Sequence, residues 1–463
     1  MIAAALEGCS TLFPCESCTR ANEPAPADQS AQCTRATISG LTPEQLPNGV
    51  FIGIAMSGGG SRAANFSSAV LLQLDALGIL PRAAAISSVS GSSLTNAYYA
   101  RWGGSPDRSK YWTEQELRRR LGENIQARWV ARWFYPQNIA KYWTTDFDRS
   151  DIMKEIFDEV LFDGTSARFA ETGSRQCGAE MLAAPGQPVA TPVVLVNATT
   201  LEGSNFVFTD EAFRRDLRSR LDTYPLSHAI MASASFPGAF QNVTLQNYKS
   251  VNRYEHLFDG GPSDNLGVEA LEKTLRELNR KSLTGRPPLA GCMLVLVDAF
   301  TDDDSRTYEK QSGRSDTRRT FDFIVSDNFS DAFDAMLAHR RHDTLKSLNL
   351  NTELQGEIGK TALWSHQPFR QTGGPNAGLT CHIWHLTFQR LRHLRDIVPE
   401  AAPVASIVNR VETAFRLGGL FGQGKDEQQD ALYDAARILT QGDRETRDAV
   451  LLLFKNWGLQ KGR

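Results

Sequence analysis

The chain has 463 residues, 41% of them hydrophobic and 22% charged, and a formal net charge of −3. That is the composition of a globular protein with room for a large core, in one big domain or two medium ones. Near-neutral charge gives no overall field toward nucleic acid, and no apolar run approaches the roughly 18–20 residues of a membrane span.

The first residues read MIAAALEGCSTLFPCESC. Leu6-Glu7-Gly8-Cys9 resembles the end of a bacterial lipoprotein signal, with Glu7 in place of the usual small residue. On that reading the start is truncated, Cys9 is the lipidation site, and the protein belongs to the cell envelope, in the periplasm or anchored to a membrane. The competing reading is a frayed terminus with a chance cysteine, in a cytoplasmic protein. Setting Cys9 aside leaves Cys15, Cys18, Cys33, Cys177, Cys292 and Cys381, an even number able to pair as disulfides. Cys15-Glu-Ser-Cys18 has zinc-like spacing, but only Cys9 and Cys33 stand near enough to complete four ligands, so no metal is expected. Cys292, inside CMLVLV, is expected to be plain core.

Residues 1–40 form a cysteine-containing tail and tether, polar and proline-bearing from residue 20 onward. Regular structure is expected to start at VFIGIAM (50–56), a near-continuous apolar run typical of a strand buried on both faces. A glycine run follows, then a helix in which Phe66, Val70, Leu74 and Leu77 recur at helical spacing until Gly78 and Pro81 stop it. AAAIS (83–87) predicts the next strand and SSLTNAYYARW the next helix. Further strands are predicted at 192–199, 254–258 and 292–300, with a helix over 266–280. This alternation predicts an α/β fold with a mainly parallel central sheet flanked by helices. The catalytic domain is expected over 45–350. TCHIWHLTF (380–388) alternates like a half-buried strand, and 404–463 reads mostly helical, so 351–463 is expected to be a C-terminal, mostly helical extension packed on that domain.

AISSVSGSS (85–93) holds five serines. A nucleophile elbow needs small residues two before and two after the reactive serine, because the strand-to-helix turn is tight. Ser87 meets Val89, Ser88 meets Ile86, Ser92 meets Leu94 and Ser93 meets Thr95, while Ser90 has Ser88 and Ser92. Ser61, in Gly59-Gly60-Ser61-Arg62-Ala63, also passes. The run Gly58-Gly59-Gly60 suits a different role, in which bare backbone aims N–H groups at an oxyanion from a helix N-terminus. Gly58-x-Gly60-x-x-Ala63 also fits a weak dinucleotide fingerprint, but the second strand ends in serines and lacks the acidic residue that motif wants. For a base, the strand YEHLF ends in Asp259-Gly260-Gly261, which puts Asp259 at the sheet edge where α/β folds hold their sites. A plain Asp-Gly turn is the other reading of that stretch.

Three stretches, SGGGSR (57–62), SSVSGSS (87–93) and DGGPSDNLG (259–267), together with ASASFPGAF (232–240), resemble the patatin-like phospholipase family in order and context. The likeness runs from about residue 48 to at least 300. It implies a patatin-like three-layer fold and a serine lipid acyl hydrolase of phospholipase A, lysophospholipase or carboxylesterase type. It further implies a Ser-Asp dyad of Ser90 and Asp259, an oxyanion loop of Gly58, Gly59 and Gly60, and Arg62 as an auxiliary, headgroup-side cation, with no cofactor. Ser88 and Ser92 replace the usual glycines of the elbow, and Ala63 replaces the glycine that often follows the basic residue. Two other functions stay open: a non-catalytic lipid-binding protein on the same scaffold, and a Ser-His-Asp esterase using Asp298 and a histidine such as His342.

Five of eight tryptophans lie in 102–143, with nine basic and four acidic residues between 101 and 143. That is the pattern of an interfacial patch or lid giving peripheral membrane contact; buried tryptophans beneath a solvated charged face would look the same. The expected partners are lipid or membrane-interface esters, and no nucleic acid.

Overall fold

The computed structural model describes residues 22–26, 33–34, 36–172, 174–175, 192–250, 253–301, 327–351, 357–419 and 422–459. The expectations for Cys9, Cys15, Cys18 and Cys177, and for the side chain of Cys33, lie outside the described residues.

Among the described residues, nine strands make the central sheet: β1 (Val50–Met56), β2 (Ala85–Val89), β3 (Val193–Thr200), β4 (Asn205–Val207), β5 (Val243–Gln246), β6 (Tyr254–Phe258), β7 (Gly291–Asp298), β8 (Leu363–His366) and β9 (Cys381–Thr387). Their order is β8-β9-β7-β1-β2-β3-β6-β5, with β4 pairing β3. The inner strands β9, β7, β1, β2 and β3 run parallel, and β8, β4, β6 and β5 join antiparallel. The apolar run of β1 explains its central place. Ile52, Ile54 and Met56 enter one core and Phe51 and Ala55 the other, as alternation across a strand buried on both faces requires.

On the first face lies α1 (Gly60–Ala76), whose Phe66, Val70 and Leu74 are the predicted helical stripe and are fully buried. On the second lies α7 (Val268–Leu283), which packs Leu271, Leu275 and Leu278 against the sheet. Between these in the chain come α2 (Ser92–Trp102), α3 (Ile125–Trp133), α4 (Pro136–Thr144), α5 (Arg149–Phe162) and α6 (Leu226–Ala234). Beyond α7 come α8 (Asp327–Ser347) and α9 (Lys425–Arg437).

The stretch after residue 350 does more than pack on the outside. It supplies β8 and β9 to the same sheet, β9 pairing in parallel with β7 along its length. Its helix α9 closes over α1, where Gln429 donates to Asn65 Oδ1 at 2.8 Å and Tyr433 meets Ser68 at 2.9 Å.

Cys292 is not plain core. The β7–β9 register sets it directly against Cys381, with Cα atoms 4.4 Å apart, and the two form a disulfide. Alternation within CMLVLV predicts an inward side chain, but the pairing partner lies 89 residues away and has no local signal.

Candidate active site

Strands β1, β2 and β6 end at the same edge of the sheet, and each is followed by a turn that carries chemistry. After β2 the chain turns through Ser90, whose φ of 50° is left-handed and uncommon for a residue with a Cβ. The turn is held from below. The Ser90 N–H donates to Ser233 Oγ at 2.8 Å, and Ser233 Oγ meets Ser93 Oγ at 2.9 Å. Ser92 donates to the Ser57 carbonyl at 2.6 Å, and Ser87 Oγ accepts from Asn197 at 2.8 Å. The other serines of this run are thus small, buried hydrogen-bonding pieces beneath the turn, and Ser90 is the half-buried one that faces outward. Gly91 has an ordinary φ but no room for a side chain: a Cβ there would sit 2.0 Å from the Gly60 carbonyl oxygen. The Ser90 turn and the glycine loop therefore touch backbone to backbone.

Ser90 Oγ donates to Asp259 Oδ2 at 2.8 Å. Asp259 follows β6, and its Oδ1 accepts the Gly261 N–H at 2.9 Å. Its own N–H reaches the Ser235 carbonyl at 3.1 Å, and its carbonyl accepts from Thr199 at 2.7 Å. Both ends of the residue are thereby pinned. Asp259 is 4% exposed. Burial pushes its carboxyl up to about 6, against the downward pull of the Gly261 N–H and the Ser90 hydroxyl.

After β1 come the three glycines. The Gly58 N–H donates to the Asn265 carbonyl at 3.1 Å, which removes it from the expected set of oxyanion donors. Gly59 and Gly60, with φ of 134° and 55°, leave their N–H groups without an acceptor among the described residues, at the start of the 17-residue α1. A Cβ on Gly60 would lie 2.5 Å from the Ala414 carbonyl. The loop thus offers two backbone donors backed by a helix N-terminus, beside a serine hydroxyl whose partner is a carboxylate.

A cavity of about 230 Å³ opens beside Ser90 and Asp259. Trp129, Met153, Phe236, Phe240, Phe333 and Phe415 give it largely apolar walls. Among the described residues no histidine lines it.

Residues 54–272 of this chain match the sequence model of the patatin-like phospholipases. This stretch is similar to the patatin-like phospholipases. Among solved structures, the chain is similar to human GIVD cytosolic phospholipase A2, at 12% identity and a TM-score of 0.49, covering 90% of this chain and 63% of that one. The same protein in complex with methyl gamma-linolenyl fluorophosphonate gives 14% identity and a TM-score of 0.46, covering 92% and 63%. VipD from Legionella pneumophila gives 13% identity and a TM-score of 0.25, covering 69% and 64%. The chain thus spans less than two thirds of the length of these proteins. No curated relative matches it.

Within this matched stretch the structure brings together Ser90, Asp259, Gly59 and Gly60. Ser61, the rival serine, is 2% exposed inside α1 and its N–H bonds the Ala414 carbonyl at 2.7 Å, so it does not face the cavity. Arg62 does not reach the cavity either. It is 3% exposed, lies beneath Gly59, and donates to the Val411 carbonyl at 2.8 Å, so it braces the loop rather than facing a headgroup. Asp298 is committed elsewhere, to Arg341 and to His385 Nε2 at 2.8 Å. Burial pushes its carboxyl up, but Arg341 and His385 outweigh that and hold it well below the usual carboxylate range. His256 bonds Thr244 at 3.0 Å, away from the dyad.

Other site residues have no motif of their own. Ser233 and Asn265 lie inside stretches that resemble the family, yet only the fold gives them partners. Val411, Ala414 and Phe415 offer carbonyls to Arg62, Ser61 and Gln126, stitching the C-terminal part onto the glycine loop and α3. No local pattern near residue 411 foretells this, because every partner lies hundreds of residues away.

Proposed function

We propose that the protein is a serine lipid acyl hydrolase that works through a Ser90–Asp259 dyad and an acyl-enzyme. The reading rests on one observation above all: a serine hydroxyl on a left-handed strand-to-helix turn, 2.8 Å from a buried carboxylate oxygen. Ser90 Oγ attacks the carbonyl carbon of a carboxylic ester, and its proton passes to Asp259. The N–H groups of Gly59 and Gly60 hold the oxyanion, each such donor contributing typically a few kcal/mol. As the tetrahedral species collapses, Asp259 returns the proton to the leaving alkoxide. Water, deprotonated by Asp259, then attacks the acyl-enzyme, and Asp259 passes that proton to the departing Ser90 Oγ, freeing the fatty acid and restoring the serine. The apolar cavity beside Ser90 suits an acyl chain, which supports a phospholipase or carboxylesterase of the 3.1.1 class. The Cys292–Cys381 crosslink supports an exported protein in an oxidising compartment, in keeping with the envelope expectation.

A fluorophosphonate probe with peptide mapping, run beside a panel of phospholipid, lysophospholipid and soluble esters, tests this reading. Labelling at Ser90 and ester turnover that both vanish in Ser90→Ala are expected. A labelled Ser61, or turnover that survives Ser90→Ala, would overturn it.

A further inference from the structure

Between Asn124 and Thr145 the chain carries Arg128, Arg132 and Lys141, no acidic residue, and a high density of aromatic side chains. The segment folds as the consecutive helices α3 and α4, joined where Asn138 donates to the Arg132 carbonyl at 2.9 Å. α3 sends Trp129 into the wall of the active-site cavity, and Trp133 packs edge-on against it with ring centroids 4.6 Å apart. From there outward the apolar side chains stop facing the core. Val130 is 41% exposed, Phe134 72%, Tyr135 45%, Ile139 45%, Tyr142 52% and Trp143 53%. The remaining large exposed hydrophobic side chains among the described residues, Leu201, Leu283, Met336, Ile397 and Leu452, are scattered along the chain. A group of six within fourteen positions is a patch, and patches of that kind mark docking surfaces.

We propose that the α3–α4 face docks the protein on an anionic lipid surface and so brings the cavity mouth to its substrate; this rests on the hydrolase reading above. Three features favour lipid over a protein partner. The patch is rich in tryptophan and tyrosine, whose rings suit the boundary between headgroups and acyl chains. Its formal charges are all basic, and their ion pairs with only two acids of α5, Glu155 and Glu159, leave one net positive charge for anionic headgroups. Trp133, next to Phe134 in the chain, packs on Trp129 of the cavity wall, so the patch lies beside the apolar cavity. No described helix is long and apolar enough to cross a membrane, so contact through this face would be peripheral.

The test separates docking from catalysis. Ser90→Ala protein, and the same protein carrying Phe134→Ser and Trp143→Ser, are floated with vesicles of phosphatidylglycerol and phosphatidylcholine. The first is expected to float, and the second to bind roughly tenfold or more weakly, because two interfacial aromatics have been lost. Phosphatidylcholine alone should capture less. In protein with Ser90 intact, the two substitutions should leave kcat/KM on a soluble short-chain ester unchanged and lower turnover of vesicle phospholipid. Equal flotation of both proteins, or equal loss on the soluble ester, would overturn the proposal. So would a dimer that the substitutions convert to monomer, since a second copy would then cover the face. Absence of all ester turnover would instead count against the hydrolase reading, while flotation would still report on docking.

Discussion

In the proposed dyad Asp259 serves as the base, and its burial has a cost. Its carboxyl is raised from 3.8 to about 6, so it is ionised and able to take the Ser90 proton above that pH. We expect kcat/KM to rise about tenfold per pH unit up to roughly pH 6 and to level off above it. A flat profile between pH 4.5 and 7.5 would contradict this role. The raised carboxyl also makes a stability prediction of definite sign. A carboxyl whose folded pKa lies above its unfolded one contributes nothing adverse below about pH 4, and destabilises the fold as pH rises through about 6. A rise of this size corresponds to roughly 3 kcal/mol at full ionisation. Asp259→Asn, which keeps the shape and can still accept from Gly261, should therefore have a higher Tm than the wild type at pH 8 and an equal one near pH 4. Equal Tm values at both pH values would argue against a desolvated carboxylate. At this scale the placement of Ser90 on a tight turn and of Asp259 at a strand end was legible, since both leave local marks. Gly58 and Arg62 were misread because the acceptors that occupy them, the Asn265 and Val411 carbonyls, lie far along the chain.

The elements bring the Ser90 turn and the glycine loop together by touching where no side chain fits. Gly91 precedes α2 and packs against the Gly60 carbonyl at the start of α1, with an ordinary φ, so a substitution there acts through crowding alone. Gly91→Ala should push the two turns apart, lower stability by about 1–3 kcal/mol and cut kcat/KM roughly a hundredfold. Gly378→Ala, where a Cβ would meet nothing within 4 Å, serves as the neutral control. Thermal melts and steady-state kinetics on the two variants check this, and equal behaviour would refute the close approach. Strand β9 carries a second prediction. Because Cys292 and Cys381 are register partners, a non-reducing digest of protein made under oxidising conditions should yield their linked peptides, and free thiols at both would refute the pairing. Strong apolar runs made β1, β3 and β7 legible. The short strands at 205–207, 243–246 and 363–366 were not, because pairing with neighbours, rather than their own pattern, makes them strands.

Across the whole molecule, one sheet edge gathers turns from residues near 58, 90 and 259, and the stretch around 411–415 closes over them. The expected boundary at 350 divides a sheet that the chain builds from both sides, since β9 pairs along β7. Local composition could suggest that boundary, but only the register shows the sheet crossing it. The proposed division of labour, with Ser90 as nucleophile and Asp259 as its base without a histidine, makes one demand of the entire fold. Single-turnover hydrolysis of a soluble ester by Asp259→Asn, set beside Ser90→Ala and a His256→Gln control, measures it most directly. We predict a loss of about a thousandfold or more for Asp259→Asn, nearly matching Ser90→Ala, with His256→Gln close to wild type in rate. A mostly active Asp259→Asn beside a folded but inactive His256→Gln would contradict the dyad.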